Sequence, residues 1–327
     1  MTKEDAGKRT WRLMGILADG RFHSGQLLAV QLGLSRASVF NAMVAAEDYG
    51  VAIQRVRGRG YRLARSWDPL QYDEVTRWLG ENAAQFNLEI LPQATSSNTL
   101  LLERAAMSVP SGTVLAVELQ TEGRGRLGRT WHTELGSALT FSLLWRFDRG
   151  LNALSGLSLA VGIAIVRALG KLGMQGAQLK WPNDILTGQG KLGGVLVEGS
   201  GDVLGPSATV IGIGVNYHLP DSIAQRIDRP ASALDEICSI LPSRSKILAV
   251  MLQELAAVLQ HFAAEGFAAL RSEWEQYHAY HNCEIQMQMP DGTTVSGYAR
   301  GVSDRGELCL ETAQGVRHLN SGEVGHR

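Results

Sequence analysis

Cysteine is scarce in this chain. The three present, Cys238, Cys283 and Cys309, are far apart and odd in number, which argues against a disulfide framework or a zinc site and leaves ordinary thiols. Long apolar runs are lacking as well. No segment approaches the roughly 18 apolar residues of a membrane span, and the opening MTKEDAGKRTW has no apolar stretch of the signal-peptide kind. A cytoplasmic location with no membrane partner is the expectation. Net charge is small, at −1 over 327 residues, but the total conceals an uneven distribution. What is there is a globular composition, 45% hydrophobic, at a length that suggests about two or three domains.

Residues 1–66 carry eleven basic residues against five acidic ones. A separable basic segment on an otherwise slightly acidic protein is an electrostatic footprint for nucleic acid, although a solvated charged face has the same composition. Trp11 to Ala18 and Ser24 to Leu32 show apolar residues at helical spacing, the second opening at a Ser cap. Ser35 caps a third helix that turns Val39, Met43 and Ala46 inward and ends at Gly50. Helix, tight glycine-containing turn, helix is the helix-turn-helix plan. Arg36, Ser38 and Asn41 fall at the exposed amino-terminal end of the third helix, the position for reading base edges and phosphates. Two short strands around Gly58-Arg59-Gly60 form a wing, whose Arg55, Arg57 and Arg59 would straddle phosphates. A small trihelical domain that binds protein is the competing reading. Ser66-Trp67-Asp68-Pro69 marks the boundary.

Further along, three glycines and three arginines alternate in Gly123-Arg124-Gly125-Arg126-Leu127-Gly128-Arg129, followed by Thr130 and Trp131. Glycine lets backbone amides approach a ligand, and guanidinium forks suit carboxylates and phosphates. The glycines also satisfy G-x-G-x-x-G, with Asp148 downstream. A dinucleotide fingerprint, however, must follow a strand and open a helix. Here Thr113 to Gln120 is strand-like before the loop, and the period of two in Leu139, Phe141, Leu143 and Trp145 predicts another strand after it. An anion loop between two strands is therefore expected; a solvated loop is the plainer alternative.

Ser96, Ser97 and Asn98 precede an apolar helix, where they either cap it or bind a polar ligand group. In Leu179 to Asp184 (LKWPND), Pro182 fixes a turn and leaves Asn183 and Asp184 at a strand end. Lys191 starts the hydrophobic run KLGGVLVE, which predicts a central strand, and the glycines of Ile211-Gly212-Ile213-Gly214-Val215-Asn216 leave room for a ligand or another backbone.

These pieces, TSSN at 95–98, GRGRLGRTW at 123–131, KWPND at 180–184, KLGGVLVE at 191–198 and GIGVN at 212–216, resemble the biotin protein ligase family. With the winged helix-turn-helix, the resemblance is to its form with an amino-terminal DNA-binding domain, the biotin operon repressor, and it spans nearly the whole chain. The arginine-glycine loop together with KWPND is highly specific. The resemblance implies an α+β protein: a winged helix-turn-helix at 1–66, a mixed α/β ligase domain of the class II synthetase kind at 67–280 and a small SH3-like β-barrel at 281–327. It implies ATP-dependent formation of biotinyl-5′-adenylate, transfer of biotin to a lysine of a carboxylase's biotin carboxyl carrier protein, and repression at operator DNA by a ligand-promoted homodimer with the adenylate as corepressor. Biotin, ATP and Mg2+ are the implied ligands.

By the same resemblance, Ser96, Ser97, Asn98, Gln120, Arg124, Gly125, Arg126 and Lys191 would hold biotin; Arg129, Trp131, Asn183 and Asn216 would hold ATP or the adenylate. Lys191, Arg126 and Asp184 would be the catalytic groups, with Asp184 either a magnesium ligand or the residue that orients Lys191. Trp131 either covers the ligand or is a plain core aromatic. Three positions depart from the pattern. Ser97 stands where threonine is expected, and Glu122 and Leu127 flank the arginines where small or basic residues are expected. Glu122 would either loosen the ligand or pair with an arginine in the empty state. Two rival activities remain: a lipoate ligase, disfavoured by the glycine-rich loop, and a transcription factor that only binds biotin, disfavoured by the full set of arginines and Lys191.

From His281 onward, short alternating strands with Asp291-Gly292 as a turn signal predict a small β domain. Tyr277, His278, Tyr280 and His281 near the junction lack metal-ligand spacing and are expected to be packing residues.

Overall fold

A computed structural model describes residues 3–107, 109–188, 190–201, 203–227 and 229–325. The outermost residues of the first and third expected domains lie outside that description. The amino-terminal unit consists of α1 (Lys3–Leu17), α2 (Gly25–Leu32) and α3 (Arg36–Asp48), followed by the antiparallel pair β1 (Ile53–Val56) and β2 (Gly60–Leu63). Both expected caps form: Ser24 Oγ accepts from Leu27 N at 3.1 Å and Ser35 Oγ from Ser38 N at 3.0 Å. Leu13, Met14, Leu17, Leu28, Val39 and Met43 make the core. The first helix begins well before Trp11. Apolar spacing marks only the part of a helix that is buried, and the polar residues ahead of Trp11 continue the same helix.

The central unit is a seven-stranded mixed sheet in the order β3-β4-β5-β9-β8-β7-β6. In chain order it contains α4 (Tyr72–Leu79), β3 (Asn87–Ala94), α5 (Ser97–Ala106), β4 (Thr113–Gln120), β5 (Ala138–Phe147), α6 (Leu157–Lys171), β6 (Ala177–Lys180), β7 (Asp184–Thr187), β8 (Gly190–Gly201), β9 (Ser207–Asn216), α7 (Asp221–Ala224), α8 (Leu234–Ile237), α9 (Arg244–Glu265) and α10 (Arg271–Tyr277). Only β3 and β4 run parallel. The alternation in β5 sorts its two faces: Leu139, Phe141 and Leu143 join the layer of α6 and α9, while Leu144 packs with α5 on the other side. Helix α9 is long and apolar enough to cross a membrane, yet 61% of that stretch is buried within the protein, so it is a core helix.

The junction between the first two units is fastened from inside. Trp67, buried with the amino-terminal core, donates from Nε1 to Glu118 on β4 at 3.2 Å. Glu118 also accepts from Leu70 N and from Arg244 at the start of α9, each at 2.5 Å. Arg244 in turn bonds Asp68 and Ala138 O. The carboxy-terminal unit is a five-stranded antiparallel sheet of the SH3-like kind, β10 (Glu284–Gln288), β11 (Thr294–Val302), β12 (Leu308–Thr312), β13 (Gly315–Leu319) and β14 (Glu323–Val324), in the order β13-β12-β11-β10-β14. It docks on the central unit through Trp181 Nε1, which donates to Gly306 O at 3.0 Å. The cysteines are free thiols.

Candidate active site and nucleic-acid face

One cavity of about 430 Å3 opens on the face of the sheet that carries α5. Ser96, Ser97, Asn98 and Gln120 line one end, Arg124, Gly125, Arg126, Arg129 and Trp131 the rim, and Asn183, Asp184, Lys191 and Asn216 the far side. Every residue expected to hold biotin, ATP or the adenylate thus lines the same space.

The arginine-glycine segment joins two strands, with no helix after it, and is itself a tight hairpin. Trp131 N donates to Gly123 O at 2.8 Å and Gly125 N to Arg129 O at 2.7 Å. Leu127 and Gly128 both lie in the left-handed region, at φ 55° and 73°, as the centre of a two-residue hairpin turn of type I′ requires. Leucine is an uncommon residue there, and its side chain is 70% exposed. Two arginines are held by acids from elsewhere: Arg124 by Glu198 on β8, and Arg129 by Glu323 on β14. Glu122 is exposed and makes no ion pair among the described residues. Arg126 faces the cavity and donates to Asn183 Oδ1 at 3.2 Å; burial pulls its guanidinium below the ordinary arginine value.

At the α5 end, capping and site building coincide. Ser96 caps the helix while Ser97 N donates to Gln120 Oε1 at 2.7 Å. Ser142 on β5 donates to Asn98 Oδ1 at 2.5 Å and shares a second hydrogen bond with Ser97 Oγ at 2.7 Å, and Asn98 Nδ2 donates to Glu198 at 3.0 Å. The glycines of β9 admit these side chains and not another backbone. A Cβ on Gly212 would meet Asn98 Oδ1 at 2.2 Å, and one on Gly214 would meet the Trp131 indole at 2.6 Å. Trp131 therefore lies on the cavity wall, and its Nε1 is buried without a hydrogen-bond partner.

Lys191 lies in β8, where a register shift in the β7–β8 pairing interrupts the ladder. Its Nζ donates to Asp184 Oδ1 at 2.5 Å. Asn183 Nδ2 donates to Val195 O at 2.8 Å, and the Asn216 amide ties Ser232 O and Lys191 O. Sequence reading passed over four residues that complete the site: Ser142, Glu198, Lys180 and Glu323. The alternation of β5 places Ser142 on the site face, and Glu198 closes a quoted motif. Nothing local marks Glu323, which arrives from a different unit.

On the amino-terminal unit, Arg36 and Asn41 are exposed on α3, while Ser38 is half-buried and shares a hydrogen bond with Ser35 Oγ at 2.9 Å. Among the wing arginines, Arg57 points to solvent, Arg59 stacks on Phe22 at 4.3 Å, and Arg55 is paired with Glu47 at 2.5 Å.

Comparison with known proteins matches residues 91–216 to the biotin/lipoate A/B protein ligase family, 280–327 to the biotin protein ligase C-terminal domain and 9–62 to an HTH domain. The bifunctional ligase/repressor BirA of Escherichia coli is 34% identical over 97% of this chain and 96% of its own length. The chain belongs to the biotin protein ligase family. The BirA of Bacillus subtilis is 28% identical over 94% of each chain. Among solved structures, the biotin protein ligase of Aquifex aeolicus in complex with biotin and ATP aligns with a TM-score of 0.62 at 30% identity, covering 73% of this chain and 97% of that one. This biotin protein ligase thus carries the helix-turn-helix unit in addition to the part shared with the Aquifex enzyme.

Proposed function

We propose that the cavity joins biotin to AMP and hands the biotinyl group to a lysine of a carboxylase's carrier protein, and that the winged unit binds operator DNA. The observation that carries this reading is the convergence of the Ser96–Asn98 end, the arginine hairpin and the Lys191–Asp184 pair on one space. Biotin's carboxylate is already a nucleophile, so activation needs positioning and neutralisation of charge. Ser96, Ser97, Asn98 and Gln120 hold the biotin head; Arg124, Gly125 and Arg126 receive its carboxylate. Lys191, oriented by Asp184, spans that carboxylate and the α-phosphate as the anhydride bond forms. Arg129, Trp131, Asn183 and Asn216 enclose the adenylate, and the hairpin closes over it to exclude water. No cluster of three potential ligands for a metal occurs among the described residues. Magnesium would enter as a partner of the triphosphate, and the second oxygen of Asp184 is the donor that would hold it.

In the second step the amine of the carrier lysine attacks the anhydride carbonyl, and AMP leaves. Working in the cytoplasm, the adenylate-bound protein dimerises and sets two winged helices on paired half-sites. The test is biotin-dependent exchange of label between pyrophosphate and ATP. Lys191→Ala should lower it at least ~100-fold, the scale of losing one preorganised stabilising group. Exchange with lipoate and not biotin would overturn the reading. A dimeric footprint on operator DNA that ignores biotin and ATP would sink the coupling to repression.

A further inference from the structure

The exposed face of α3 is apolar along its middle. With about 100° of turn per residue, Phe40, Val44 and Ala37 fall within ~60° of one another. All three are exposed, the Phe40 ring by 48%. Arg36 and Glu47 border this row on one side, and Asn41 and Asp48 on the other. Ser38, expected from the sequence to read bases, is off the face, half-buried and bonded to Ser35 Oγ. A ring and two aliphatic groups turned to water in one row mark a contact surface.

The charges around the row decide the kind of partner. Two wing arginines stack on Phe22, Arg59 at 4.3 Å and Arg62 at 4.7 Å, and Arg57 on the same wing is exposed. The foot of the wing reaches the row itself, because Arg55 lies over the Phe40 ring at 5.4 Å and pairs with Glu47. That pairing neutralises Glu47, and Asp48 stands ~12 Å along the helix from Phe40, at the end away from Arg36. An apolar row beside a basic wing fits duplex DNA, whose phosphates match the arginines and whose base edges meet the row. Residues 9–62 match an HTH domain, and in that plan the amino-terminal part of the second helix of the motif enters the major groove.

We infer that Ala37, Phe40 and Val44 read the 5-methyl groups of thymine, so that the operator presents thymines to α3. This rests on the proposed operator binding. The three side chains have neither donor nor acceptor. Of the features that base pairs turn to the major groove, the thymine methyl is the one apolar group. The row from Ala37 to Val44 is ~10 Å long, which spans about three base pairs. Cytosine in the same place would turn an amino group to the row and lose water without gaining an acceptor. Asn41 at the edge of the row carries the amide that pairs with adenine N6 and N7. Specificity here is therefore carried by methyl contacts, and the wing arginines supply affinity that is blind to sequence.

In the test, the full-length protein with biotin and ATP enriches duplexes from a random-sequence pool. The tightest is remade with deoxyuridine for thymidine, which removes the methyl groups alone, and anisotropy titrations compare the two. Each buried methyl contributes about fourfold, so two facing thymines should make the deoxyuridine duplex weaker by about tenfold or more. In Phe40→Ala the same exchange should cost less than about threefold, and Phe40→Leu should restore most of the difference. The slope of log affinity against log salt should not change in either variant, since no phosphate contact is removed. Equal methyl sensitivity in the parent and in Phe40→Ala, or none in the parent, would overturn the inference. So would a Phe40→Ala protein that binds both duplexes as the parent does but no longer dimerises in sedimentation, which marks a protein contact. The comparison on the parent needs no variant and decides the matter even if Phe40→Ala fails to fold. If the parent enriches no duplex, the proposed operator binding itself fails and takes this inference with it.

Discussion

Arg124 and Glu198 face each other across the rim of the cavity, Nη2 donating to Oε1 at 2.7 Å and Nη1 to Oε2 at 3.2 Å. The same carboxylate accepts from Asn98. One acid thus sets two of the groups proposed to hold biotin, an arginine of the hairpin and an asparagine of α5. The pair is partly exposed, so its own contribution to stability is small. Its effect lies in orientation. Glu198→Ala is expected to weaken biotin binding about tenfold, or ~1.4 kcal/mol, with little change in melting temperature. Isothermal titration with biotin checks this, and unaltered affinity would remove Glu198 from the site.

The buried pair of Arg244 and Glu118 behaves differently. Neither side chain is more than 4% exposed, and the carboxylate also holds Trp67 and Leu70. Removing one partner leaves an uncompensated buried charge, at a cost of about 3–5 kcal/mol. Arg244→Met should therefore lower the melting temperature by on the order of 10 °C for a unit of this size. Replacing both, as Arg244→Met with Glu118→Leu, should recover much of the loss. Calorimetric scans of the single and double variants decide the matter; additive losses would contradict it.

Two neighbouring wing arginines are expected to differ in DNA binding. Arg57 is exposed and has no ion-pair partner among the described residues, whereas Arg55 is already paired with Glu47. Arg57→Ala should weaken duplex binding and reduce the slope of log affinity against log salt by about 1. Arg55→Ala should do less. Anisotropy titrations over a range of salt provide the measurement, and equal effects of the two substitutions would refute the distinction.

Acid should loosen the junction before the carboxy-terminal unit. His278 is 6% exposed, its Nδ1 has no hydrogen-bond partner, and burial pushes its pKa down from 6.5 to about 4, with His281 adding to the effect. The folded state keeps this imidazole neutral, so the unfolded state binds the proton more readily. The stability this supplies is complete above pH 6.5 and is lost as pH falls from there toward 4. Its full size is on the order of 3 kcal/mol. Melting temperatures should decline across that window in the parent and decline less in His278→Phe. Parallel curves would show that another group titrates.

Much of the site was legible because its motifs are local. The alternation flanking Gly123 to Trp131 declared a loop between two strands, and Ser24 and Ser35 announced their helices as caps. Pairings between distant segments were not legible. Glu198, Glu323 and Glu118 are ordinary acids until folding sets them against Arg124, Arg129 and Arg244. Glu122 pairs with no arginine among the described residues, since Arg124 and Arg129 take their acids from β8 and β14. The start of α1 was missed for a related reason: apolar periodicity reports burial, and a solvated helical turn has none.

By itself the sequence determined the kinds of element, their caps and turns, the family to which the motifs belong and the residues equipped for anion chemistry. These follow from spacing and side-chain type over a few residues. Only the tertiary structure decided which acid neutralises which arginine and that the glycines of β9 make room for Asn98 and Trp131. Those outcomes depend on strand register and on the packing of separate units, and a register couples residues far apart in the chain through geometry that no local pattern encodes.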